Sequence, residues 1–132
     1  MKEHWAMKYT TEKWSDKQDC FYWFRLWTKE LTGRNILDPH VQHNELVRNS
    51  IKVMTSNIHD IFNYKQTDSP VEGDAVFLSQ RTLPHHIGMV ITPHGQFRVL
   101  HALENCGILI SSITELSLNG WKIKGYWTYD ET

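Results

Sequence analysis

His86-Ile87-Gly88-Met89-Val90-Ile91-Thr92, then Pro93-His94-Gly95, then Gln96-Phe97-Arg98-Val99-Leu100-His101-Ala102 reads as two strands with a turn between them. Both runs are rich in Val, Ile and Leu, and the break holds the Pro and Gly that interrupt pairing. A connection this short permits only antiparallel pairing. Outward from this hairpin, the same composition recurs in Asp74–Ser79, Ile108–Ile113 and Trp121–Tyr129, which brings the expected strands to five. Upstream the periodicity changes. From Asp19 to Leu31, Cys20, Trp23, Phe24, Trp27 and Leu31 recur at i, i+3, i+4, i+7 spacing, with Asp19 as N-cap and Thr32-Gly33 as a stop. Asp38-Pro39 opens a second helix, which aligns Val47, Ile51, Met54 and Ile58 and ends near Asn57. Residues 59–70 lack periodicity and read as a loop. Helices first and strands afterwards predict an α+β fold, with N-terminal helices packed on a five-stranded, mainly antiparallel sheet.

The 132 residues fit one domain, 1–132, at roughly 100–200 residues per domain. Lys and Arg number 14 against 15 Asp and Glu, so no net basic field collects phosphates, and sequence-independent nucleic-acid binding is not expected. No apolar run reaches transmembrane length, and Lys2, Glu3, Lys8, Glu12 and Lys13 break up the start. The expectation is a chain made in the cytoplasm without a signal peptide and without membrane insertion. Six Trp give an aromatic excess that suits either a small core or the lining of a cleft.

Cys20 falls in the first turn of the expected helix, where unpaired N–H groups and the helix dipole favour an anion and lower a thiol pKa. A thiolate nucleophile needs a base and a group that orients the base. Folding strand 86–92 back on 96–102 around His94 makes His86 and His101 cross-strand neighbours, the arrangement in which one imidazole steadies another. A Cys flanked by Phe21, Tyr22 and Trp23 also suits a purely structural core position. Cys106, beside Gly107 in a turn, reads as structural or incidental. His40 and His43, and the adjacent His85 and His86, complete no zinc spacing with Cys or carboxylate, so no metal site is expected.

Asp19-Cys20 opening an aromatic helix, Val71-Glu72-Gly73-Asp74-Ala75-Val76-Phe77-Leu78, His86-Ile87-Gly88-Met89-Val90-Ile91 and Val99-Leu100-His101-Ala102 occur in an order that resembles the NlpC family of papain-like cell-wall cysteine peptidases. Trp5-Ala-Met-Lys-Tyr9, Arg25-Leu26-Trp27 and Gly125-Tyr126-Trp127-Thr128-Tyr129 look like its compact phage and prophage tail members. The resemblance spans the whole chain. It implies a papain-like fold, Cys20 as nucleophile, His86 as general base, His101 as the group orienting His86, and no cofactor. It further implies that Asp19 helps bind a free amino end of a peptidoglycan stem peptide, that Tyr9 or Trp14 lines the cleft, and that the amide bond cleaved lies next to D-glutamate. The partners it implies are this peptide and phage tail proteins, with the chain virion-associated or delivered to the cell wall. Relatives carry Gly where this chain has Tyr22, and their glycine-rich turn before the Cys is here Glu12-Lys-Trp-Ser-Asp-Lys-Gln18. The competing expectation is a non-catalytic tail or delivery component that binds peptidoglycan or a partner protein.

Overall fold

The computed structural model describes residues 3–15, 18–36, 63–80 and 82–131. The expected helix at 39–57 and the first part of the 59–70 loop lie outside the described residues. A 3-10 helix at Trp5–Thr11 precedes α1 (Cys20–Thr32). Then come β1 (Tyr64–Thr67), β2 (Ala75–Ser79), β3 (His86–Ile91), β4 (Arg98–Leu103), β5 (Gly107–Ser111), α2 (Ile113–Leu118) and β6 (Lys122–Tyr129).

The fold is α+β. Its six-stranded sheet runs β1-β6-β2-β3-β4-β5, with every neighbouring pair antiparallel. Among the described residues six strands stand where five were expected, because part of the presumed loop is β1, which pairs along β6 from Tyr64↔Tyr129 to Thr67↔Tyr126. As an edge strand it needs to bury only Tyr64, so Tyr-Lys-Gln-Thr carries no alternating apolar pattern to betray it. A second departure follows β5. Ile113 continues no strand but begins α2, because Ser112 accepts the Glu115 N–H while Glu115 accepts the Ser112 N–H, a reciprocal cap that starts a helix.

α1 forms where its residues dictate. The Asp19 carboxylate accepts the Tyr22 N–H at 3.0 Å, and Gly33, at φ 79°, closes the far end with its N–H on Lys29 O. Cys20, Trp23, Phe24 and Trp27 are buried, whereas Leu31 lies at the margin and is exposed. With Phe77, Ile87, Met89, Ile91 and Leu100 from the sheet, this stripe makes the larger core. Because successive strand residues point to opposite faces, Val76, Leu78, Val90 and Val99 form a second, smaller core, which Leu116 of α2 and Trp121 cover.

The N-terminal segment is fastened at two places. Glu72 accepts hydrogen bonds from Trp5 Nε1 (2.9 Å), His4 Nε2 (3.0 Å) and both the backbone N–H and hydroxyl of Thr92 (2.7 and 3.1 Å). Burial works against the Glu72 charge, but the donors of Thr92, Trp5 and His4 outweigh it and hold the carboxyl at about 2. Further along, the Ile108 N–H donates to Glu12 O at 3.2 Å. Gly107 makes room for that approach, since a Cβ there would lie 2.8 Å from Glu12 O.

Candidate active site

Cys20, at the first turn of α1, and His86, at the start of β3, line one cavity of about 490 Å³ together with His101 from β4. Trp14, Gln80, His85, Ser111 and Trp121 also border it. The cavity opens where the two cores meet. Cys20 belongs to the α1-side core, while Leu116 and Trp121 of the second core close the other wall.

The histidines meet by a register other than the one expected. β3 and β4 pair as Met89↔Leu100, Val90↔Val99 and Ile91↔Arg98. Continued one step, this sets His101 across from Gly88, two residues short of a direct His86 pairing. A shift of two keeps side chains on the same face, so the imidazoles still meet, now diagonally. His86 Nε2 lies 3.1 Å from His101 Nδ1, with ring centroids 5.3 Å apart. Gly88 is what allows this. A Cβ there would sit 2.8 Å from Val99 Cγ1 and 3.2 Å from His101 Cβ. The shift originates in the turn, where His94 (φ 54°) and Gly95 (φ 77°) both take left-handed backbone inside a 3-10 turn at Pro93–Gly95.

From His101 the chain of polar contacts goes one step further, as Nε2 lies 2.9 Å from Ser111 Oγ on β5. His86, His101 and Ser111 are 5%, 1% and 8% exposed. The Trp121 ring covers His86 at 4.7 Å with a 31° tilt. His85 is half-buried rather than the solvated surface histidine its sequence context suggests, and its Nε2 accepts the Gln80 N–H.

The electrostatics overturn one expectation. Burial, joined by the Asp19 charge, pushes the Cys20 thiol up to about 12, although the backbone N–H groups of Ile87, Phe21 and Cys20 itself pull the other way. Desolvation thus outweighs the helix N-terminus. Burial likewise holds His86 well below the usual imidazole range, with His101 and His85 adding to it, and lowers His101 to about 4. The resting pair is therefore a neutral thiol and a neutral imidazole. Among the described residues, no hydrogen bond joins the Cys20 sulfur to either histidine ring; the sulfur meets the N–H of Ile87, the residue after His86.

The chain matches no protein-family model, no curated protein and no solved structure.

The remaining expected residues separate cleanly. Trp14 borders the cavity. Tyr9 does not; its hydroxyl bonds Glu30 and its ring packs edge-on against Trp23 and Trp27. Asp19 caps α1 and is outside the lining. Tyr22 is also outside it, with its ring edge-on to Trp23 and its hydroxyl accepting from Gln18 Nε2. Cys106 is exposed at the cavity rim, and both cysteines are free. No group of three or more metal-ligating side chains occurs among the described residues. Ser111 is the residue the sequence reading passed over. Its signal was a serine inside the otherwise apolar run Ile108-Leu-Ile-Ser-Ser-Ile113, at a position one strand over from His101.

Proposed function

We propose that this chain is a cysteine peptidase of the NlpC, papain-like kind, cleaving an amide bond next to D-glutamate in bacterial peptidoglycan stem peptides in a phage or prophage tail setting. The observation that carries this reading is that Cys20, His86 and His101 all line one cavity, with the two imidazoles 3.1 Å apart. The peptide class and the tail setting rest on the sequence resemblance.

In the reaction, His86 takes the Cys20 proton as sulfur attacks the scissile carbonyl, because neither group is charged at rest. The C–N bond then breaks, and His86 returns its proton to the leaving amine. Water, deprotonated by His86, releases the acid and restores the thiol. The Cys20 N–H, in the first turn of α1, is the donor this reading assigns to the oxyanion. His101 steadies the imidazolium that exists only during turnover, and Trp14 and Trp121 supply flat apolar walls for the substrate backbone.

The second reading, a non-catalytic tail component that binds peptidoglycan or a partner protein, draws on the burial of the thiol and its rise to about 12. Digestion of purified peptidoglycans of several chemotypes separates the two. Peptidase action yields new amino and carboxyl termini by mass spectrometry with wild type and none with Cys20→Ala. Equal product from both proteins, or none from either, rejects hydrolysis.

A further inference from the structure

We propose that Ser111 is a positioning residue: its Oγ accepts the His101 Nε2–H, and this fixes the proton order of the hydrogen-bonded row so that His86 Nδ1 is left as a bare lone pair. The inference rests on the reading of Cys20 and His86 as nucleophile and base, and it extends that reading to a residue on the outermost strand of the described sheet.

Two short contacts carry it, His86 Nε2 to His101 Nδ1 at 3.1 Å and His101 Nε2 to Ser111 Oγ at 2.9 Å. A hydrogen bond between two ring nitrogens needs one proton, and each buried imidazole here is neutral, so each ring carries one N–H. Only two proton orders satisfy both contacts. In the first, His86 Nε2–H donates to His101 Nδ1, His101 Nε2–H donates to Ser111 Oγ, and His86 Nδ1 is a bare lone pair. In the second, every donor and acceptor is reversed, and His86 Nδ1 carries a proton.

Only the first order leaves a base. In the second, His86 has no free lone pair with which to receive the Cys20 proton, whatever its distance from the sulfur. Ser111 biases the choice because its oxygen has two lone pairs for the His101 N–H but a single proton to give. It also offers an acceptor in a place where a buried N–H without one would be costly. The strand order puts β5 beside β4, where Ser111 pairs with Val99, two residues from His101 and on the same face.

The test is ring-nitrogen NMR on the ¹⁵N-histidine-labelled full chain at neutral pH, comparing wild type with Ser111→Ala and Ser111→Thr. In wild type, His86 and His101 should both show the Nε2–H tautomer. Ser111→Ala should move His101 and His86 together toward Nδ1–H, and Ser111→Thr, which keeps the hydroxyl, should restore the wild-type pattern. With peptidoglycan fragments as substrate, Ser111→Ala should lower kcat about tenfold with KM little changed, the size expected for loss of one buried hydrogen bond. An Nδ1–H tautomer at His101 in wild type, or an Ala variant with unchanged tautomers, overturns the proposal. If the tautomers behave as expected but wild type cleaves no peptidoglycan, the peptidase reading falls while the role of Ser111 in ordering the protons is supported.

Discussion

The two cores that meet at the cavity place their reactive groups in opposite kinds of surroundings. On the α1 side, Cys20 sits among Phe21, Trp23, Phe24, Ile87 and Ala102, and burial keeps its proton on to about 12. On the α2 side, His86 and His101 are just as buried, yet they are linked to one another and to Ser111 by hydrogen bonds. The same desolvation acts on a thiol met by backbone N–H groups in one case and on mutually hydrogen-bonded imidazoles in the other. A helix N-terminus does not suffice to make a thiolate when the sulfur is packed away from water; in that surrounding, deprotonation has to accompany bond formation.

The sharpest way to break this contrast is to remove each half. On the proposed peptidase reading, Cys20→Ala should abolish peptidoglycan cleavage, a fall of about 10³-fold or more, while the unfolding free energy changes by about 1 kcal/mol because only one sulfur atom leaves the core. His86→Ala should cost a similar amount, about 10²- to 10⁴-fold, whereas His101→Ala should keep measurable turnover because water can replace an orienting group in part. Initial rates with circular dichroism on the same preparations check this. A His101 variant as dead as the Cys20 variant would mean that the second core does more than orient.

Thiol labelling probes the next largest difference. Sequence alone favours faster alkylation of Cys20, but the structure reverses that order. At pH 7, Cys106, exposed at the rim, should react with iodoacetamide on the order of 10²-fold or more faster than Cys20, as time-resolved peptide mapping will show. Fast labelling of Cys20 would show that the thiol leaves its pocket or gains an ionised partner in solution.

The histidine half makes its mark on stability. His101 falls from 6.5 to about 4 on folding, so the unfolded chain binds a proton that the folded one refuses. Stability is therefore full above pH 6.5 and declines as pH falls toward 4, by up to about 3 kcal/mol from this residue, with His86 acting in the same direction. Glu72 joins only below about 4.5, since its folded carboxyl holds its charge to about 2. Urea midpoints between pH 7 and 4.5 should slope for wild type and slope less steeply for His101→Gln, where His86 alone remains; a flat wild-type profile would show that the imidazoles are wetter than the structure has them.

Smaller still is the effect expected along the cavity walls. Trp14→Ala should raise KM several-fold, about 1 kcal/mol of lost contact, while Tyr9→Phe should leave KM unchanged, since Tyr9 packs away from the cavity. Equal effects in steady-state kinetics would refute that division.

Much of this arrangement is legible in the sequence, for identifiable reasons. α1 begins and ends within a residue of its expected bounds because Asp19 and Gly33 are strong local signals. The β3–β4 hairpin is legible from composition and the Pro-His-Gly break. The two-residue register shift is not, because it depends on left-handed His94 and on Gly88 admitting the His101 side chain. β1 escapes notice because it is an edge strand with one buried residue, while α2 had a legible mark in Ser112-x-x-Glu115. The thiol's acidity was out of reach, since a pKa depends on how deeply the tertiary packing buries the sulfur. Trp14 and Tyr9 could not be told apart until the chain between them was seen to turn along β5.

That turn has a bearing on how copies of the chain behave together. An outer strand with bare N–H and C=O groups invites another molecule to add a strand of its own. Here the carbonyl of Glu12 lies over the Ile108 N–H of β5, and the missing Cβ of Gly107 is what lets it come so close. At the far side, β1 is four residues long and carries Lys65, so it too is a poor template. Among the described residues the sheet is stoppered at one rim by the segment around Glu12 and blunted at the other by a short strand, which leaves little border on which another copy could add a strand.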